Sequence, residues 1–308
     1  NQMWRKQNSE KDELEWLHKQ GPVCPSLLDY IEENKDEYDY FIFFTYLYYT
    51  TVLGLPLVAD KALFIPTAHD ENPIKLNIFR SLFKKPRAII YNTPEEKELV
   101  NILFDNDDIE SHVVGAGIDV PDKVDPEDFK RKYGMDNFVI CVGRIEGGKG
   151  TMSLIDYFAR YHNKDSDIKL VLLGRGQVPI PKNKNIFSLG FVSEQDKFNA
   201  IAASNSVIVP SELESLSLVS LEAWSLNKPI LVNERSAVLK GHCERSNGGL
   251  YYSNYEEFAT CLNYLLGDEA LREKLGSNGF SYVKDNYNWS VIKKKYVSIF
   301  EGLQASIK

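Results

Sequence analysis

No apolar run in this sequence approaches the roughly 20 residues that a membrane-spanning helix needs, and no signal peptide opens it. The expectation is a cytoplasmic protein. Cysteine is sparse and scattered: Cys24, Cys141, Cys243 and Cys261, none in a CxxC pair or a Cys/His cluster. That pattern argues against a zinc cluster and a disulfide framework, and suits small core residues in a reducing compartment. Basic charge is in deficit, with 36 Lys and Arg against 44 Asp and Glu and a net charge of −8. Such a balance argues against nucleic acid as a bulk partner, because phosphate-backbone binding wants a basic surface. Solenoid-type repeats and low-complexity tracts are missing as well.

What is present is an alternation of strand-like and helix-like segments over 308 residues, enough for two ordinary domains. The first half reads as helices over 2–20 and 25–34, a buried strand over 38–45, and a strand over 62–66 that ends in the polar loop TAHDENP. A helix over 74–83, a strand over 88–91, a helix over 95–104 and a strand over 111–114 follow. Residues 118–128, with Pro121, Pro126 and five acidic residues, read as a linker. Strands over 138–142, 168–173, 186–189, 207–209 and 229–232 then alternate with helices, and the last helix spans 290–304. This order predicts parallel sheets covered by helices on both faces. The first unit is expected to be incomplete, since no strand and glycine turn precede residue 21.

Two stretches carry chemistry. In PSELESLSLVSLEAWSL, from Pro210 to Leu226, a β-branched run (Val207, Ile208, Val209) gives way to a polar loop and then to helical spacing, with Ser217 as the expected N-cap. Glu214 lies on the loop and Glu222 about one turn into the helix. They read either as acceptors for sugar and ribose hydroxyls or as a solvated loop acid and a first-turn glutamate. The second stretch, GRIEGGKG from Gly143 to Gly150, follows one strand and precedes a helix. Its glycines and the cations Arg144 and Lys149 suit a diphosphate at a helix N-terminus, or a plain surface turn. The spacing nearly spells a P-loop, but Gly150 stands where the magnesium-binding hydroxyl belongs, so NTP hydrolysis is not expected. His69, in TAHDE, is a pocket donor or a loop histidine. Asp165-Ser166-Asp167 imitates a DxD metal site at the wrong end of a strand and reads as a turn.

Glu214 and Glu222 at that separation, the basic loop VGRIEGGKG and the hinge-like VVGAGIDV together resemble the family-4 retaining glycosyltransferases of the GT-B fold. The likeness spans essentially residues 22–300 and is closer in the C-terminal half. It implies two Rossmann-like domains flanking a cleft: an acceptor-side domain over 1–118, a linker over 119–136, a nucleotide-sugar domain over 137–289, and a C-terminal helix over 290–308 packing back toward the first. It further implies that Arg144 and Lys149, beside Gly143, hold the donor diphosphate, that Glu222 binds the ribose and that Glu214 faces the transferred sugar. Ser215, Leu216, Ser217 and Leu218 would lie along sugar and phosphates, Phe191 would bracket the base, and His69 would reach the sugar's C6 region. Where members often have glycine, this chain has Ser215 and Ser217, so left-handed backbone is less expected there.

The implied activity is metal-independent transfer of a hexose from a UDP- or GDP-sugar with retention, catalytically carried by His69, Glu214, Arg144 and Lys149. The implied acceptor is a saccharide or a lipid-linked sugar. No cofactor is expected. A silent nucleotide-sugar-binding module and a nucleotide-sugar epimerase of the same fold are the alternatives; a phosphorylase-like enzyme would need a pyridoxal-phosphate lysine site that the sequence does not display. The segment IKLNIFRSLFKKPR, five basic residues over an apolar stripe, reads either as a peripheral contact at the inner membrane face or as an ordinary sheet-covering helix.

Overall fold

Runs such as FIFF, AIIY and FVICV are too apolar for an exposed sheet face, and each ends up in a parallel sheet in the computed structural model, which describes residues 8–161, 167–176 and 179–305. The chain divides into two compact units, Asn1–Gly115 with Lys295–Lys308, and Ala116–Lys294. In the first, strands β1 (Phe41–Phe44), β2 (Ala62–Ile65), β3 (Ala88–Tyr91) and β4 (Ser111–Val113) pair in parallel in chain order. Helices α1 (Glu10–Gln20), α2 (Pro25–Asn34), α3 (Tyr49–Gly54) and α4 (Pro94–Phe104) belong to this unit. The helix expected from residue 2 begins at Glu10, because Ser9 and Asp12 form a reciprocal capping box there. Residues 1–7 lie outside the described residues.

Two expectations fail in instructive ways. The helix over 74–83 is instead three short 3₁₀ turns, Asn72–Lys75, Asn77–Phe79 and Leu82–Lys84. Ile74, Leu76, Phe79, Leu82 and Phe83 are all buried, a set of positions that no single α-helical stripe collects. The apolar residues offered to a membrane are therefore spent in the unit's own core, where Phe83 stacks on Phe104 with centroids 4.1 Å apart. The linker likewise holds a helix, α5 (Pro126–Tyr133). Asp125 caps it by accepting from the N–H groups of Glu127 and Asp128, Pro126 occupies its first turn, and Phe129 is fully buried.

The second unit is a six-stranded parallel sheet built from β5 (Phe138–Val142), β6 (Lys169–Leu173), β7 (Ile186–Gly190), β8 (Val207–Val209), β9 (Ile230–Asn233) and β10 (Gly249–Tyr252). Its spatial order is β10-β9-β8-β5-β6-β7. Alternate residues feed two cores: Ile140, Val171 and Val207 on one face, Val139, Leu170 and Ile208 on the other. The helices of this unit are α6 (Thr151–Arg160), α7 (Glu194–Ala203), α8 (Leu218–Ser225), α9 (Ala237–Ser246), α10 (Tyr255–Gly267) and α11 (Glu269–Asn286). The last helix among the described residues is α12 (Trp289–Ala305). Trp224 on α8 is fully buried; its indole N–H donates to the Gly248 carbonyl at 2.8 Å, and a side chain on Gly279 of α11 would overlap the ring. No helix among the described residues is long and apolar enough to cross a membrane.

Candidate functional site

The chain leaves β5 toward β6 and β7, then returns to place β8 on the other side of β5. That reversal is a topological switch point, where the loops after two adjacent parallel strands part and leave a crevice at their carboxyl ends. The loops that part here are the two singled out from sequence. Residues 143–150 follow β5 and residues 210–217 follow β8. They approach so closely that a side chain on Gly150, itself left-handed at φ 70°, would collide with the Pro210 carbonyl. This explains why the near P-loop has glycine where a hydroxyl would stand. Gly174, after β6, is excluded from bearing a side chain in the same way by the Gly143 carbonyl.

Lys149 reaches across the switch point. Its Nζ lies 2.9 Å from Glu214 Oε1, and the Glu214 side chain is 15% exposed. Arg144 does not join them: its side chain is 72% exposed and its guanidinium pairs with Glu146 at 3.1 Å. Glu222 is bound by a residue that sequence reasoning missed, Lys197 on α7, whose Nζ sits 2.8 Å from Glu222 Oε1 and 2.7 Å from Glu194 Oε2. Burial raises the Glu222 carboxyl above the ordinary range, and the Lys197 ammonium partly offsets it. Burial works to lower the Lys197 ammonium, but its bonds to Glu194 and Glu222 leave it raised. The short-range signal was the Glu194–Lys197 spacing; the bond to Glu222 depends on how α7 packs on α8.

Ser217 stands at the N-cap position of α8 without acting as the expected cap. It is left-handed, at φ 67° and ψ 76°, makes no capping bond, and its hydroxyl lies 2.9 Å from the Ser220 hydroxyl. A serine thus takes the conformation for which glycine seemed needed, at a cost of about 1–2 kcal/mol. The helix opens at Leu218, directly after the expected N-cap position, with Leu218 exposed and Leu216 buried. Uncapped first-turn N–H groups give such a helix start a partial positive charge. Gly150 offers α6 no side-chain cap either.

Phe191, just past β7, is 69% exposed, and the Arg175 guanidinium lies 4.9 Å from its ring centroid. In the first unit, His69 follows β2. Its Nδ1 is buried with no hydrogen-bond partner, and lies 3.8 Å from Glu71 Oε1, too far for a hydrogen bond. The loop that carries His69 is held by Glu96, whose carboxyl group is buried on α4. It accepts from the Ala68 N–H at 2.5 Å and the Asn92 N–H at 2.6 Å. Burial pushes the Glu96 carboxyl up to about 8, with the N–H donors pulling the other way. No group of three or more His, Cys, Asp or Glu among the described residues is placed to hold a metal ion, and Asp165 and Ser166 of the DSD turn lie outside the described residues.

The fold agrees with what known proteins show. A Xenopus tropicalis protein, glycosyltransferase 1 domain-containing protein 1, is 23% identical over 256 residues, spanning 77% of this chain and 73% of its own. The uncharacterized glycosyltransferase MJ1607 of Methanocaldococcus jannaschii is 24% identical over 73% of this chain, a match that covers 59% of the archaeal protein. Among solved structures, Anabaena HepE in complex with UDP superposes with a TM-score of 0.75 at 16% identity, over 90% of this chain and 82% of HepE. That likeness carries the two-sheet α/β architecture of GT-B glycosyltransferases. The profile of the family described as glycosyl transferases group 1 matches residues 124–282, more than half of the chain and the whole of the switch point. This chain belongs to the group 1 glycosyltransferases.

Proposed function

We propose that the chain transfers a hexose from a UDP- or GDP-sugar to a saccharide or lipid-linked acceptor, with retention and without a metal ion. The observation that supports this most directly is the Lys149–Glu214 pair at the switch point, beside two helix starts that lack side-chain caps. As the bond from the sugar's C1 to the diphosphate breaks, negative charge grows on the leaving phosphate. Lys149, Arg144 and the N-terminus of α8 stabilise that charge. Arg144, exposed and paired with Glu146, would exchange that partner for the phosphate. Glu214 orients the sugar as it gains oxocarbenium character. With its carboxylate engaged by Lys149, it is a weak nucleophile, which favours attack from the face the leaving group vacates.

Glu222 takes the ribose hydroxyls, and Ser215, Leu216, Ser217 and Leu218 line the sugar and phosphates. Phe191, exposed on its loop, stacks on the base. His69 hydrogen-bonds the sugar through Nε2, since its Nδ1 is buried. UDP is the first nucleotide to try, since Anabaena HepE was solved with it. A silent binding module is the second reading, and the pairing of Arg144 with Glu146 rather than with Glu214 favours it. The test is a thermal-shift screen of UDP-, GDP- and ADP-sugars, followed by release of the nucleoside diphosphate. Stabilisation by one donor together with its turnover supports transfer; stabilisation without turnover selects the binding module. No stabilisation by any donor overturns both.

A further inference from the structure

His242 is unused by the chemistry above, was not singled out in the sequence, and is fully buried. It lies on α9 among the rings of Trp224, Tyr282 and Tyr287, with centroids 6.1, 5.8 and 5.9 Å away. Both ring nitrogens have partners at 3.0 Å: Nε2 with the Leu216 carbonyl, and Nδ1 with the Tyr282 hydroxyl. A carbonyl only accepts, so Nε2 carries the proton and Nδ1 is bare. The Tyr282 hydroxyl must then donate to Nδ1. Its oxygen in turn accepts from Arg245 Nε, 3.3 Å away, and stands 3.3 Å from the Tyr287 hydroxyl. The chain of donors runs in one direction, from Arg245 through Tyr282 and His242 to Leu216.

That end point is informative. Leu216 immediately precedes Ser217, the non-glycine residue held left-handed where α8 begins. A strained residue persists only where its surroundings over-determine it, and such residues gather at binding sites. The Leu216 side chain is buried, its carbonyl is bound by His242, and the Ser217 hydroxyl is bound to Ser220. We propose that His242 is a positioning residue for the donor loop: its imidazole pins the Leu216 carbonyl and so holds the left-handed turn that leaves the start of α8 open to the ligand. The link to the donor rests on the function proposed above; the link to the loop does not. Burial pushes the imidazole down to about 3, with the nearby Arg245 charge acting in the same direction. The Tyr282 and Tyr287 hydroxyls are the other titratable groups facing it. The ring therefore stays neutral, in one tautomer, at neutral pH.

Two substitutions separate the two nitrogens. In His242→Gln, the side-chain amide reaches the Nε2 position and can still donate to Leu216. In His242→Asn, it reaches only the Nδ1 position, toward Tyr282. Hydrogen exchange of the unliganded protein should show amides over 215–220 exchanging about fivefold to tenfold faster in His242→Asn, with most of the protection restored in His242→Gln. The same order should appear in the Kd for UDP or GDP, whichever binds the wild-type chain, while His69 and Glu96 segments exchange as before. Equal behaviour of the two variants, whether both intact or both opened, would overturn the proposal and leave the ring as packing alone. The exchange arm needs no ligand. A wild-type chain that binds neither nucleotide would therefore remove the donor reading while the positioning of the loop is still decided.

Discussion

Lys149 Nζ lies 2.9 Å from Glu214 Oε1, joining the loop after β5 to the loop after β8 across 65 positions of sequence. The lysine that would neutralise a departing diphosphate and the acid that would orient the sugar thus hold one another before any ligand arrives. Removing either leaves the other partly buried charge without its partner.

Replacing Lys149 by alanine should lower turnover by about 10²–10³-fold, the loss seen when one preorganised donor to a developing negative charge is deleted. The pair is partly solvated, so its contribution to stability is small and the fold should survive. Steady-state kinetics beside a thermal melt check this. Turnover close to wild type in a folded Lys149→Ala protein would remove the lysine from the mechanism.

Glu222→Gln keeps the shape of the side chain but removes the charge that Lys197 and a ribose would share. Loss of a charge-assisted hydrogen bond should raise the Kd for the bound nucleotide roughly 10–100-fold. Turnover at saturating donor should change much less, because the ribose is remote from the breaking bond. Calorimetric titration with UDP, set against kcat, measures that split; an unchanged Kd counts against the ribose role.

Gly150→Ser would complete the P-loop pattern, yet NTP hydrolysis should not follow. The residue is left-handed, and its side chain would enter the Pro210 carbonyl. Destabilisation of about 1–3 kcal/mol is expected, together with weaker donor binding, since the two loops must separate. Denaturant unfolding reads the first and nucleotide titration the second.

Glu96 gives the first unit a pH dependence of definite sign. Its folded carboxyl is raised from 4.5 to about 8, so between those values the folded state holds a proton that the unfolded state has lost. The stability it contributes is complete below about pH 4.5 and is lost as pH rises toward 8. Glu96→Gln should flatten that slope. Melting temperatures across the window test it; a slope unchanged by the substitution would mean that another group titrates.

Much of this protein was legible in the order of its residues, and the reason is local. Strands over 138–142 and 207–209 and the helix over 194–203 follow from side-chain periodicity and from caps such as Ser193, which accepts the Asp196 N–H. Periods of two and 3.6 are written into neighbouring residues, as are the glycines of GRIEGGKG and the acids of ESLSLVSLE. Where local signs conflict, tertiary burial decided. Residues 74–83 coil into 3₁₀ turns because the core claims apolar residues on every side, and residues 126–133 form a helix because Phe129 has a core to enter. The partners of the site were settled by packing alone. Lys197 meets Glu222, and His242 meets Leu216, across 25 and 26 positions. Which side chains face each other across such intervals depends on how helices settle on a sheet. Ser217 shows the same rule in the backbone: its own preference is against a left-handed turn, and the bonds around it, made only in the folded chain, hold it there.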